Sequence, residues 1–154
     1  FKQLTKQLDI QGFTGEEQSG WEEAYWRIVR PGDSDIGDFH ADSWFWKMGH
    51  GQIESAYRRI KIWVAIETIP GKSGLRVLPG SHQNSDWRYH GEIDHTGIKK
   101  PVFDDDIDTL NIFNVSTNPG DFIVFHDDLI HAGMPNKSDS TRVSLEATLL
   151  VKKS

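Results

Sequence analysis

The sequence predicts an all-β fold, a sandwich or barrel of short strands. Three observations carry this. Apolar residues recur with a period of two through most of the chain, Gly and Pro break the segments at short intervals, and little of the chain holds a helical period. With 154 residues, the chain is long enough for one domain with a real core. It is read as a single domain over residues 1–154.

Taken in order, residues 14–24, "TGEEQSGWEEA", are expected to hold a short helix. "YWRIVR" (25–30) reads as a strand closed by Pro31 and Gly32. In "IKIWVAIET" (60–68), Ile60, Ile62, Val64 and Ile66 share one face, and Lys61, Trp63, Ala65 and Glu67 share the other. "LRVL" (75–78) runs into the turn Pro79-Gly80, "LNIFNV" (110–115) is a further apolar run, and "NPGDFIVFH" (118–126) is a turn feeding a strand. "TRVSLEATLLV" (141–151) alternates cleanly. Val143, Leu145, Ala147, Leu149 and Val151 face one way; Arg142, Ser144, Glu146 and Thr148 face the other. Residues 83–100 are polar and contain Gly, so a long surface loop is expected there. The acidic run "FDDDID" (103–108) reads as a solvated loop, since it lacks the alternating ligands and turn glycine of a calcium loop.

The formal net charge is −6, which argues against a general nucleic-acid binder. Arg58, Arg59 and Lys61 are expected to form at most a small solvated patch, and Lys47, Arg58 and Arg59 are candidates to meet an anionic group of a substrate. No apolar run approaches the roughly 18 residues that cross a bilayer, and no secretory signal is visible. The expectation is a cytoplasmic protein acting on a small molecule, with neither nucleic acid nor membrane as partner. There are no cysteines, so any metal site is built from His, Asp and Glu.

In "GDFHADSWFW" (37–46), His40 and Asp42 lie two positions apart inside the most aromatic stretch of the chain. On a strand they would point to the same side, together with Trp44 and Trp46, which are then expected to line a cavity. An imidazole and a carboxylate make two-thirds of the facial triad that holds non-haem Fe(II). His90/Glu92 and His126/Asp128 show the same spacing. The best third ligand is His131. From Asp128 it is too local to close a face around an ion, and from Glu92 only one or two strands intervene. The interval from Asp42 holds about four strands, which best suits two ligand-bearing strands meeting late in a barrel. His40, Asp42 and His131 are therefore the expected ligands. Of the other histidines, His82 is expected to fix its turn and His126 to be structural, while His50, His90 and His95 fall in loops.

Arg142 follows His131 by eleven residues, on the polar face of its strand. Its planar fork matches a carboxylate, and a guanidinium aimed into a metal cavity is costly without an anionic partner. A dicarboxylate whose 2-oxo acid end chelates the metal would supply that partner. Ser144, facing the same way, is a candidate second donor to it.

"HAD" at 40–42, "WVAIETIPGKSGLRVLPGSH" at 63–82 and "PGDFIVFHDDLIHAGMPNKSDSTRVSLE" at 119–146 resemble the phytanoyl-CoA dioxygenase family. These are Fe(II)- and 2-oxoglutarate-dependent oxygenases. The likeness spans about residues 25 to 150 and implies a double-stranded β-helix, a cupin-like jelly roll. It implies His40, Asp42 and His131 as iron ligands and Arg142 as the partner of the distal carboxylate of 2-oxoglutarate. Trp63 stands where the family places an aromatic wall of the co-substrate pocket. The implied reaction hydroxylates a small organic substrate with O2 and releases succinate and CO2. Related halogenases lack the carboxylate ligand, so Asp42 favours hydroxylation. Two departures stand out: only 39 residues precede His40, and "HAG" offers no hydroxyl directly after His131. The competing readings are a cupin-like metal protein with non-oxidative chemistry and a non-catalytic jelly-roll binding module.

Overall fold

The computed structural model describes residues 2–14, 24–32, 35–51 and 53–153. Along the chain run α1 (Lys2–Leu8), β1 (Ile10–Thr14), β2 (Ala24–Val29), α2 (Asp42–Lys47), β3 (Tyr57–Glu67), β4 (Gly74–Val77), β5 (Tyr89–Ile93), β6 (Lys99–Phe103), β7 (Phe113–Ser116), β8 (Phe122–His126), β9 (His131–Gly133) and β10 (Arg142–Lys152). Single 3-10 turns occupy Ser81–Gln83 and Ile107–Thr109.

The two long alternating segments found in the sequence become the two central strands. β3 and β10 pair antiparallel along nearly their whole length. β8 adds to the far side of β3, while β1 and β2 share the free edge of β10. A smaller antiparallel sheet has the order β7-β4-β9, and β5 pairs with β6. Trp63 and Ala65 of β3 pack with Leu75 and Val77 of β4 and with Phe125 of β8, so an apolar layer joins the two larger sheets. This is the jelly roll that the sequence implied.

The two faces of the large sheet carry different chemistry. The aliphatic face of β3 and β10 looks outward. There Ile62, Ala147 and Leu149 are sealed by Ile10 and Phe13 of β1 with Val64 and Val124. The mixed face looks inward, and Lys61, Arg142, Ser144 and Thr148 are all at most 4% exposed. Placing the more polar face of a sheet inside is costly unless it has work to do there. Among the described residues no helix is long and apolar enough to cross a membrane.

Several expectations are corrected. Residues 42–47 form a helix, not a strand, so Trp44 and Trp46 do not share a side with His40 and Asp42 by alternation. Trp44 instead stacks on Tyr89 at 4.3 Å and packs among Phe39, Leu78 and Ile130. Trp46 lies under the guanidinium of Arg59 at 4.2 Å. Residues 83–100 are not one loop. They contain β5 and the start of β6, joined by a turn in which Asp94 accepts from the N–H groups of Thr96 and Ile98. Arg59 and Lys61 are buried, so no solvated patch forms with the exposed Arg58. Of the helix expected over 14–24, all but the end residues lie outside the described residues; Thr14 belongs to β1 and Ala24 to β2.

Candidate metal centre

Backbone pairing brings the distant ends of the chain together. His40 and His131 form an isolated antiparallel bridge: His40 N–H donates to the His131 carbonyl at 3.0 Å, and His131 N–H donates to the His40 carbonyl at 2.9 Å. His131 begins β9, held against Val77 of β4. Two residues after His40 the chain turns into α2, whose first residue is Asp42. The acidic residue suits the first helical turn. Ser43 N–H donates to the Asp127 carbonyl at 2.9 Å and pins that turn beside the end of β8.

The result is a set of donor atoms from His40, Asp42 and His131 that all lie within 4.8 Å of one another. Each imidazole is held by its Nδ1: His40 to the Asp38 carbonyl at 2.8 Å and His131 to the Leu129 carbonyl at 2.9 Å. A carbonyl only accepts, so each Nδ1 carries the proton and each Nε2 presents its lone pair. His131 Nε2 lies 3.6 Å from Asp42 Oδ2. That oxygen is buried and has no hydrogen-bond partner, while Oδ1 faces Lys61 Nζ at 3.4 Å. An orphaned carboxylate oxygen beside two imidazole lone pairs is a donor set of the kind that could hold a metal ion.

The charges agree. Burial by itself would raise the Asp42 carboxyl, but Lys61 and the two imidazoles outweigh it and hold the pKa below the ordinary aspartate value. Burial, then His131, push His40 below the ordinary imidazole value. A neutral imidazole and an ionised carboxylate are the forms that ligate. Two nitrogens, one oxygen and open positions suit non-haem Fe(II).

Arg142 reaches the same cavity, which has a volume of about 570 Å³ and is lined by His40, Asp42, His131, Gly133 and Glu146, among others. Its Nη1 donates to the carbonyl of Gly74, while its buried Nε has no partner. Gly74 sits at φ +151°, and a Cβ there would lie 2.8 Å from the Val115 carbonyl, so only glycine places that acceptor. Burial lowers the Arg142 pKa, with Glu146 opposing, but a guanidinium stays charged. Ser144 is fully buried and its Oγ lacks a partner. Ser144 and Trp63 do not line the cavity. Trp63 is 1% exposed within the apolar layer between the sheets, and its indole nitrogen is unpartnered.

Three residues meet the centre without having been expected there. Phe45 lines the cavity and meets His40 edge-on at 5.4 Å, because a helix puts residue 45, not 44 or 46, over His40. Lys61 contacts Asp42; its signal was a lysine flanked by apolar residues in the middle of a long strand. Glu146 lines the cavity and pairs with Arg27 at 3.3 Å. Elsewhere, the turn after "LPG" is fastened by Ser81, which accepts from Ile130 N–H and Trp87 Nε1–H, while His82 stacks on His126 at 5.9 Å. His50 bonds the Lys99 carbonyl, and His90 lies between Asp104 and Glu92. Lys47 approaches Asp128 at 3.9 Å.

Solved structures share this architecture. EvdO2 from Micromonospora carbonacea var. aurantiaca, complexed with 2-oxoglutarate, superposes with a TM-score of 0.61 at 22% identity, over 86% of this chain and 53% of that one. SnoK, a non-heme alpha ketoglutarate dependent carbocyclase from nogalamycin biosynthesis, gives 0.58 at 17%, over 83% and 49%. AviO1 from Streptomyces viridochromogenes Tue57 gives 0.54 at 16%, over 85% and 50%. At these identities the likeness is one of fold, and the chain spans about half the length of each. No curated protein matches the sequence. The family model described as phytanoyl-CoA dioxygenase matches residues 4–144, a span that holds His40, Asp42, His131 and Arg142. The chain therefore belongs to the phytanoyl-CoA dioxygenase family, whose chemistry uses Fe(II), 2-oxoglutarate and O2.

Proposed function

We propose that the protein is a non-haem Fe(II)- and 2-oxoglutarate-dependent dioxygenase that hydroxylates a small organic substrate. The carrying observation is the convergence of two free Nε2 atoms and one orphaned carboxylate oxygen beside a buried guanidinium with an unpartnered Nε. His40, Asp42 and His131 would hold the metal. Arg142 would receive the distal carboxylate of 2-oxoglutarate, with Ser144 as a supporting donor and Trp63 behind the pocket wall. Bound there, the iron supplies the activation of O2, and the net reaction takes substrate, 2-oxoglutarate and O2 to hydroxylated substrate, succinate and CO2.

The chain's own residues do three things in this scheme. The Asp38 and Leu129 carbonyls lock the two imidazoles in the ligating tautomer. Arg142, tied to Gly74 by one nitrogen, keeps another for the co-substrate and thereby sets its orientation. Phe45 shields the ligands from water on the cavity side. Asp42 occupies the third protein position, which favours hydroxylation over halogenation. The setting proposed is cytoplasmic, with a small molecule as partner.

The test is anaerobic addition of Fe(II), then 2-oxoglutarate, to the metal-free protein. A visible charge-transfer band of the chelate is expected, and succinate should form once O2 and a substrate are admitted. Metal binding without any band would favour the cupin-like reading. Absence of metal binding would favour the binding module.

A further inference from the structure

Lys61 is a buried charge at the centre that neither the ligand set nor the co-substrate site uses. It lies in the middle of β3, its side chain is 2% exposed, and an ammonium so placed carries a large desolvation cost. Contacts with Thr148 and Asp42 help to offset it. Nζ donates to Oγ1 of Thr148 at 3.1 Å, directly across the β3–β10 pairing, and lies 3.4 Å from Asp42 Oδ1. Oδ2, the oxygen that lies 3.6 Å from His131 Nε2, has no hydrogen-bond partner. The two oxygens of one carboxylate thus have different surroundings: one faces a fixed ammonium, the other faces the imidazoles.

We propose that Lys61 is a positioning residue for the metal: it occupies Asp42 Oδ1 and so presents Oδ2 alone to the ion. A carboxylate on the first turn of a short helix is free to rotate about its terminal torsion and to offer both oxygens. Lys61 removes that freedom. Because Thr148 sits on the strand that also carries Ser144 and Arg142, Nζ is referenced to the same rigid element as the co-substrate site. With one carboxylate oxygen on the metal, open positions remain for a two-point chelate and for O2. With two, one of those positions is lost.

This inference rests on the metal site proposed above. It is tested with Lys61→Met, which keeps the length of the stem and removes the donor. The readout is anaerobic titration with Co(II), following the visible bands of the bound ion, with thermal melting of the metal-free protein alongside. Lys61→Met is expected to weaken Co(II) binding about 10- to 100-fold, the range for losing a group that orients a ligand. The bands of the ion that still binds should change in intensity as Asp42 engages through both oxygens. Unchanged or tighter binding with unaltered bands would overturn the proposal, whatever happens to the melting temperature, and would leave Lys61 a charge buried for structure alone. Should Lys61→Met fail to fold, Thr148→Val decides, since it is nearly isosteric and removes the anchor of Nζ. A loss of about threefold in Co(II) affinity is expected, and no loss overturns the proposal. Failure of the native protein to bind Co(II) would instead defeat the metal site itself.

Discussion

Among the described residues, two groups of side chains bring possible metal donors within 4.8 Å of one another: His40, Asp42 and His131, and His126, Asp127 and Asp128. The second is three consecutive residues at the end of β8. There His126 Nδ1 accepts the Asp128 N–H at 3.1 Å and lies 3.2 and 3.5 Å from the two carboxylates, and both His126 and Asp128 have side chains 41% exposed. The first group is drawn from segments about 90 residues apart, and its Asp42 and His131 are about 5% exposed. Consecutive residues are close whatever the fold does, and exposed ones are already satisfied by each other and by water. Distant residues meet only because a bridge and a helix turn place them, and a buried donor without a partner costs stability. A histidine and an aspartate two positions apart thus mean different things in the two places.

Substitutions in the two groups test that contrast. The largest effect is expected from the ligands: His131→Ala or Asp42→Ala should weaken Co(II) binding more than 100-fold, and His126→Ala less than about twofold, by calorimetry. An equal loss from both groups would erase the distinction. Next, Arg142→Ala should cost roughly 2–3 kcal/mol in 2-oxoglutarate affinity, about 30- to 150-fold, while leaving metal affinity nearly intact; titration of the anaerobic chelate band separates the two. Third comes pH. His40 in the folded, metal-free protein has a pKa below the ordinary 6.5, so the unfolded chain takes up the proton first. Stability should therefore be level above about pH 6.5 and fall as pH drops through that value toward the lower folded pKa. Denaturant melts of metal-free His40→Asn should show less of that fall. His90 has the opposite sign: Glu92, then Asp104, raise its pKa, so its small contribution is present at low pH and lost as pH rises through the raised value. The smallest effect is expected from Ser144→Ala, about two- to tenfold in 2-oxoglutarate affinity by the same titration, as befits one neutral hydrogen bond.

The sequence carried the centre further than it carried the local structure around it. "HAD", "LPGSH" and the spacing from His131 to Arg142 pointed to the residues that the fold brings together. The clean alternation of β3 and β10 marked the two central strands. Residues 42–47 misled, because the His40/Asp42 spacing reads as one face of a strand, whereas His40 precedes the helix that Asp42 begins, and six residues are too few to reveal a period. The β5–β6 hairpin misled because its strands, YHGEI and KKPVF, carry glycine, proline and charged residues among few aliphatics, and Tyr89 and Phe103 find their apolar partner in Trp44. Lys61 was read as solvated because lysine usually is.

By itself, then, the amino-acid order determined which segments alternate, and it singled out His40, Asp42 and His131, whose donor atoms the fold brings within 4.8 Å of one another. What it left open was direction. Alternation says that Lys61, Trp63, Arg142 and Ser144 share a face with their strand neighbours, not whether that face looks to water or to the interior. Only the packing of the small sheet against the large one decided that the mixed face is inside. The reason is physical: a strand's periodicity is a property of its own backbone, whereas burial is a property of what another element covers, and no residue of β10 encodes the position of β4.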